Sequence, residues 1–261
     1  MTEADFWQGQ RVIVTAGASG IGLQIAAAMH GAGARVWICD IAEEPLAAAA
    51  ASLPGVNTQV CDVADPQSVS IFVEKAAADM GGLDILVNNA GIAGPAAPLE
   101  EIDIDAWKRT FDVNVHGQFY LARAAIPHLK ATGKGGSIVC MASVAGKYAF
   151  PLRSPYSGSK AAVIAIARGL SVELGPHRIR VNAIAPGVVA GERIRRVFTD
   201  RAAAKGISYD EMQEIALRAV SLKTMVEPEE IAGLVMFLCA PSGRSITGQV
   251  MSICGGLEYT E

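Results

Sequence analysis

The chain has 261 residues and a formal net charge of −4, with no basic stretch on the scale that a phosphate backbone requires, which excludes nucleic-acid binding as far as composition can. Hydrophobic residues make up 51% and charged residues 18%, a mean hydropathy of +0.31 that excludes disorder and fits a sheet buried on both faces or a buried oligomer interface. No apolar run reaches the ~20 residues of a membrane span, and the acidic start MTEADFWQGQ lacks the basic and apolar regions of a secretory signal, so a cytoplasmic protein without membrane or nucleic-acid partners is expected.

Short β-branched runs alternate with longer segments of helical period. Strands are expected at 11–16 (RVIVTA), 34–40, 56–63, 83–91, 135–143, 179–187 and 248–256, and helices at about 20–32, 43–53, 66–80, 105–130, 155–174 and 227–240. This alternation predicts βαβ units: one domain over 1–261, an α/β Rossmann-like fold with a doubly wound, parallel, seven-stranded sheet and helices on both faces. Only 188–226 departs from it, a charged helical segment that follows a strand's carboxyl end, where α/β folds bind ligands, and it reads as a substrate lid. The five cysteines (39, 61, 140, 239, 254) are odd in number and form no C-x-x-C pair; they read as reduced packing residues, and no metal site is expected.

The first strand runs into VTAGASGIG (14–22) and then a helix. Glycines let a backbone approach a pyrophosphate, and the helix amino terminus offers unpaired N–H groups, so Gly17, Ser19, Gly20, Ile21 and Gly22 are candidate phosphate contacts; a ligand-free tight turn needs glycine as well. The second strand ends at Asp40, where a Rossmann unit places the acid that binds the adenosine ribose. A carboxylate there repels a 2′-phosphate and no arginine stands beside it, which favours NAD as cofactor over NADP. Asp40 also suits a cap for the turn that follows, and Asp62 suits either an adenine contact or an Asx turn into ADPQSV.

NNAG (88–91) closes the fourth strand and reads either as a turn or as backbone and amide support beside a cofactor ribose. Ser143 stands at the carboxyl end of the fifth strand, and SPYSGSK opens a helix with Tyr156 and Lys160 on one face. In a parallel sheet the strand carboxyl ends share one edge, so these groups converge where a nicotinamide would lie. Ketone reduction by hydride places negative charge on oxygen, which calls for a proton donor and a hydrogen bond. A phenol titrates near ~10, and an adjacent ammonium lowers that value. Tyr156 is therefore the expected acid/base, Lys160 its electrostatic tuner and a ribose ligand, and Ser143 the donor to the carbonyl oxygen.

Together with CDV 61–63, FDVNVHG 111–117, RVNAIAPG 180–187 and ITGQVMSICGG 246–256, these motifs identify a chain that resembles the short-chain dehydrogenases/reductases from about residue 9 to 256. The resemblance implies a fourth catalytic residue, Asn114, whose helix holds a water in a proton relay from Lys160; the residues alone read Asn114 as a buried helix amide. It also implies cofactor contacts at Val63, Asn89, Ala90, Gly91, Pro186, Gly187 and Val189, in addition to Tyr156 and Lys160, and a homotetramer with long helices at its interface. Two departures stand out. Ala16 occupies the family's first glycine position, so a reshaped turn is expected, and a threonine after Pro186-Gly187 is missing, so Val189 N–H is expected to hold the carboxamide in its place. Arg153 and the cluster Arg193, Arg195, Arg196 suggest a small anionic or polyhydroxylated substrate, with Arg153 and Arg193 touching it alongside Ser143 and Tyr156; solvated lid charges are the competing reading. The expected activity is an NAD-dependent exchange between a secondary alcohol and a ketone, with a 3-oxoacyl thioester reductase or a non-catalytic dinucleotide sensor as alternatives.

Overall fold

The structure is a computed structural model that describes residues 3–257. Seven strands, β1 (Arg11–Thr15), β2 (Arg35–Asp40), β3 (Asn57–Val60), β4 (Ile85–Asn88), β5 (Gly136–Met141), β6 (Ile179–Pro186) and β7 (Val250–Ile253), form one sheet in the order β3-β2-β1-β4-β5-β6-β7. Every pairing in it is parallel. The chain runs outward from β1 in one direction to β3 and from β4 in the other to β7, so the switch point lies between β1 and β4, the place where doubly wound sheets open a crevice at their carboxyl edge.

Helices α1 (Glu3–Trp7), α2 (Gly20–Gly31), α3 (Glu43–Ser52), α4 (Pro66–Met80), α5 (Ile104–Phe111), α6 (Gly117–Ala131), α7 (Ser154–Leu174), α8 (Glu192–Lys205), α9 (Tyr209–Leu217) and α10 (Pro228–Cys239) complete the chain. Alternation along the strands divides the core in two. Ile13, Leu86 and Ile138 face Phe72, Leu121 and Val163 of α4, α6 and α7. Val12, Val14 and Val87 face Ile25 of α2 and Ile231 and Val235 of α10. All five cysteines are free and buried, as packing residues should be.

Side-chain clamps tie the layers together. Arg11 and Asp84 form a two-pronged ion pair, with both contacts at 2.7 Å, between the starts of β1 and β4. Arg180 of β6 reaches the end of α10, donating to the carbonyls of Leu238, Cys239 and Gly243 and to Ser137 Oγ. Its charge thus lies against a helix carboxyl terminus, which a cation stabilises.

Several expected elements differ in extent, among them the seventh strand, expected over 248–256 and found at Val250–Ile253. The helix expected over 105–130 is two, α5 and α6, joined by a π turn at Asp112–His116. Its apolar spacing continues across DVNVHG, so periodicity could not reveal the extra residue in the turn. The fourth strand stops at Asn88 because the N–H groups of Asn89 and Ala90 both turn to Thr15 Oγ1, each at 3.0 Å. The third stops at Val60, before an Asx turn in which Asp62 Oδ1 accepts from Ala64 N.

Residues 188–226 leave the carboxyl end of β6 and return to it. Val189 pairs with Val226 at the base of this excursion, and Phe198, Ala202 and Met212 give it a small core of its own. Leu217 and Val220 then dock it on Ala185, Cys254 and Leu257. The tail GGLEYTE (255–261), which the family resemblance offers to a neighbouring subunit, falls largely on 258–261, outside the described residues; Leu257 itself is buried within this chain. Among the described residues no helix is long and apolar enough to cross a membrane, and no cluster of His, Cys, Asp or Glu could hold a metal ion.

Candidate functional site

The turn after β1 is built by close approach. A Cβ on Gly22 would fall 2.1 Å from Ala16 O, and one on Gly17 would fall 2.6 Å from Ile38 Cβ, so neither position admits a side chain. Gly20 adopts φ +50 and faces open space, with nothing within 4 Å of a built Cβ. Ser19 precedes α2 without a side-chain cap, and the first turn carries no acid; Ile21 follows within it. An open, glycine-floored helix amino terminus with uncapped N–H groups fits a pyrophosphate. Ala16 reaches φ 49, a left-handed conformation that costs a residue with a Cβ about 1–2 kcal/mol. The turn therefore holds left-handed strain at Ala16.

Thr15 and Asn89 lock this turn to β4. Besides the two amides on Thr15 Oγ1, Asn89 Nδ2 donates to Thr15 O at 3.0 Å and Ala16 O at 3.2 Å. The Asn89 side chain thus braces the turn from behind, and Thr15, which the sequence did not single out, is its partner. Gly17 N donates to Cys39 O at 3.0 Å, which seats Asp40 beside the turn at the end of β2. Asp40 Oδ1 accepts from Ile41 N at 2.8 Å, so the carboxylate caps its own turn while standing at the edge of the crevice. Asp62 is more committed. Its Oδ1 closes the Asx turn, and its Oδ2 meets Arg109 at 3.3 Å. Val63 packs against Gly117, where a Cβ would lie 3.0 Å from Val63 O.

Ser143, Tyr156 and Lys160 come together. Ser143 Oγ accepts from Ala145 N at 3.1 Å and lies near enough to the Tyr156 phenol to favour its charged form. Lys160 Nζ lies 5.8 Å from the centre of the Tyr156 ring, and Arg153 Cζ lies 5.0 Å from it. Burial pushes the phenol up, but the charge of Lys160, the nearby Ser143 hydroxyl and the charges of Arg193 and Arg153 outweigh it, so the phenol titrates below its ordinary value. Lys160 is 3% exposed. Burial lowers its ammonium below the usual lysine range, the phenol opposes that fall, and Arg193 adds to it. Lys160 Nζ donates to Met141 O at 2.8 Å.

The loop after β4 lies against this group. A Cβ on Gly91 would stand 3.0 Å from Lys160 Nζ and 3.1 Å from Asn114 Oδ1, and Ala90 beside it is buried. Asn114 is fully buried in the π turn. Its Nδ2 donates to Ile92 O and to Ser159 Oγ, each at 2.9 Å, and its Oδ1 accepts from Ile92 N at 2.7 Å. The side chain thus staples the loop to α7, and the extra residue of the π turn sits where such turns often mark function. Gly146 is a position the sequence did not reveal; a Cβ there would fall 2.6 Å from Lys160 C, so only glycine lets the segment after Ser143 lie on α7.

Pro186 ends β6. A Cβ on Gly187 would fall 2.8 Å from Cys254 Cα. The bridge to Val226 uses Val188 O and Ala190 N, leaving the Val189 N–H on the opposite side of the strand. Arg153 donates to Ala93 O at 3.1 Å. Arg193, in the first turn of α8, lies close enough for its charge to act on both Tyr156 and Lys160, although it is exposed like Arg195 and Arg196.

The family profile described as Enoyl-(Acyl carrier protein) reductase matches residues 15–258. A solved short-chain type dehydrogenase/reductase from Mycobacterium ulcerans superposes with a TM-score of 0.88 at 29% identity, covering 96% of this chain and 90% of that one. Galactitol 2-dehydrogenase of Agrobacterium fabrum is 35% identical over 245 residues, 94% of this chain and 95% of its own. The chain belongs to the short-chain dehydrogenase/reductase family. As a short-chain dehydrogenase/reductase it is an oxidoreductase of the class that uses NAD(P), and cis-4-hydroxycyclohexanecarboxylate dehydrogenase of Sinomonas cyclohexanicum, 34% identical over 94% of both chains, is a further relative.

Proposed function

We propose that the protein is an NAD-dependent oxidoreductase that interconverts a secondary alcohol and a ketone, with a small polar or anionic hydroxy compound such as a sugar, sugar acid or hydroxy acid as substrate. The observation that carries this reading is the group at the carboxyl end of β5 and the first turns of α7: a phenol with Ser143, Lys160 and two arginines around it. A bound nicotinamide would supply the hydride acceptor or donor. Gly17, Ser19, Gly20, Ile21 and Gly22 would hold its pyrophosphate, Asp40 its adenosine ribose, and Asp62 with Val63 its adenine. Lys160, Asn89, Ala90 and Gly91 would line the other ribose, and Pro186, Gly187 and Val189 the carboxamide.

In alcohol oxidation the Tyr156 phenolate takes the hydroxyl proton, while Ser143 holds the substrate oxygen; in reduction the phenol returns that proton. Lys160 keeps the phenolate stable, and the turn at Asn114 supports the relay that reprotonates it. Asp40 supports NAD over NADP, since a carboxylate beside the ribose repels a 2′-phosphate. Arg153 and Arg193 support a substrate with a carboxylate or several hydroxyls, closed in by 188–226 as a lid over a single catalytic domain. Exposed Phe119 and Val172 on α6 and α7 support a homotetramer, and a cytoplasmic location accords with reduced cysteines.

A second reading, reduction of a 3-oxoacyl thioester, draws on the likeness to granaticin polyketide synthase putative ketoacyl reductase 1 of Streptomyces violaceoruber, 36% identical over 253 residues; Asp40 weighs against it if that reaction runs on NADPH. One assay separates them. Purified protein is given NAD or NADP with sugars, sugar acids, hydroxy acids and simple secondary alcohols, and NADH or NADPH with 3-oxoacyl thioesters, while reduced nicotinamide is followed by absorbance. Turnover of a hydroxy compound with NAD, lowered about 10²–10⁴-fold in Tyr156→Phe, is the expected result. Equal use of both cofactors would contradict the role of Asp40. Cofactor binding without turnover on any substrate would favour a non-catalytic sensor.

A further inference from the structure

Behind Lys160 lies a buried polar group that the sequence motifs do not include. The register of β4 on β5 ends at Asn88↔Cys140, and the next two amides of that chain, Asn89 and Ala90, go to Thr15 Oγ1. Met141 O, one residue past the last pair, is left to side chains. It accepts from Lys160 Nζ at 2.8 Å and from Gln118 Nε2 at 3.4 Å. Gln118 is 3% exposed. Its own main-chain O accepts from Asn88 Nδ2 at 3.3 Å, which ties the start of α6 to the end of β4, and Asn88 Oδ1 is buried without a hydrogen-bond partner among the described residues.

An ammonium has three protons and no acceptor. A proton given to Met141 is one fewer for the hydroxyls of a ribose or for a phenolate. If Lys160 turned away, Met141 O would be a buried acceptor with only the 3.4 Å contact from Gln118, and an under-satisfied buried acceptor is costly. The long contact from Gln118 is the one that can shorten to replace it. We propose that Gln118 is a positioning residue, which takes over the Met141 carbonyl when a bound dinucleotide draws the Lys160 ammonium toward its nicotinamide ribose. The inference rests on the reading above, that the crevice takes a dinucleotide and that Lys160 binds its ribose.

Gln118→Met keeps the length of the side chain and removes the donor. The test compares affinity for NADH with affinity for ADP, which lacks the nicotinamide ribose, in the unaltered protein and in Gln118→Met, together with thermal unfolding and the pH profile of turnover. The expected result is an NADH affinity weaker by about tenfold, the loss of one hydrogen bond, with ADP affinity unchanged and the pH inflection moved upward, because Lys160 stays with Met141 and shields the phenolate less. Unchanged NADH affinity would overturn the inference, and so would an equal loss for NADH and ADP, which would mark Gln118 as packing support. The reading of the crevice fails separately: if the unaltered protein binds ADP and NADH equally well, or neither, Lys160 does not engage the ribose and Gln118 has no such role.

Discussion

The two halves of the carboxyl edge are made differently. On the side of β1, β2 and β4, the polar groups that shape the turn are matched within the chain: Thr15 Oγ1 serves two amides, Asn89 Nδ2 serves two carbonyls, and Gly17 N serves Cys39 O. Its shape is set by backbone contacts that no side chain can enter. On the side of β5, β6 and α7 the opposite holds. Lys160, Arg153 and Arg193 surround one phenol, and among the described residues neither Lys160 nor Arg193 has a carboxylate within ion-pair distance. The first half has its shape set before any ligand arrives, with the uncapped N–H groups of α2 left open; the second holds the charges of Lys160 and Arg193, which a phenolate, or an anion beside it, would relieve. Rigid geometry and uncompensated charge are thus kept apart on one sheet edge.

The contrast breaks most sharply at Lys160. Replacing it by methionine is expected to lower turnover by at least about a hundredfold, the usual scale of a proton-transfer group. The sign of the accompanying pH effect follows from the depressed phenol. Alcohol oxidation needs the phenolate, so the rate rises with pH through the phenol's value, and loss of the cation returns that inflection upward toward about 10. An unmoved inflection in a pH–rate profile of Lys160→Met would show that the charge does not tune the phenol.

A smaller change tests the prebuilt half. Asp40→Ala is expected to shift the ratio of kcat/KM for NAD over NADP by about tenfold toward NADP, the scale of relieving one exposed like-charge repulsion near the surface. Steady-state kinetics with both cofactors measure it, and an unchanged ratio would move cofactor choice elsewhere. The smallest effect sharpens the comparison. Ala16→Gly removes the left-handed strain and is expected to raise the unfolding midpoint by about 2–4 °C, with turnover within about twofold. A fall in the midpoint would mean that Ala16 earns its place through packing.

Much of this edge was legible from residue order. Alternation with helical segments gave all seven strands; the inner ones are buried on both faces and read as apolar runs, while the edge strands β3 (NTQV) and β7 are more exposed, and the Ser143, Tyr156 and Lys160 positions follow from strand ends and a four-residue helical spacing. What escaped was tertiary. The π turn at Asp112–His116 leaves apolar spacing intact. The service of Thr15 to β4 joins residues 74 and 75 positions apart, and nothing local marks it. Gln118 reads as one more polar residue near a helix start until Met141 O is seen to need a donor. Asp62 shows the limit from the other side: both of its readings, turn former and open acid, were available, and the structure supplies the turn together with Arg109.

The excursion over 188–226 begins and ends at one bridge, Val189↔Val226, and packs around its own Phe198, Ala202 and Met212. Both of its feet therefore stand on neighbouring positions of the scaffold, as in an insertion that can be spliced out and rejoined. None of the seven strands draws a residue from it. A chain built this way can exchange that cassette for another of different length or charge while its sheet and glycine turn keep their sequence, and chimaeras with relatives cut at Val189 and Val226 are the natural units of such exchange.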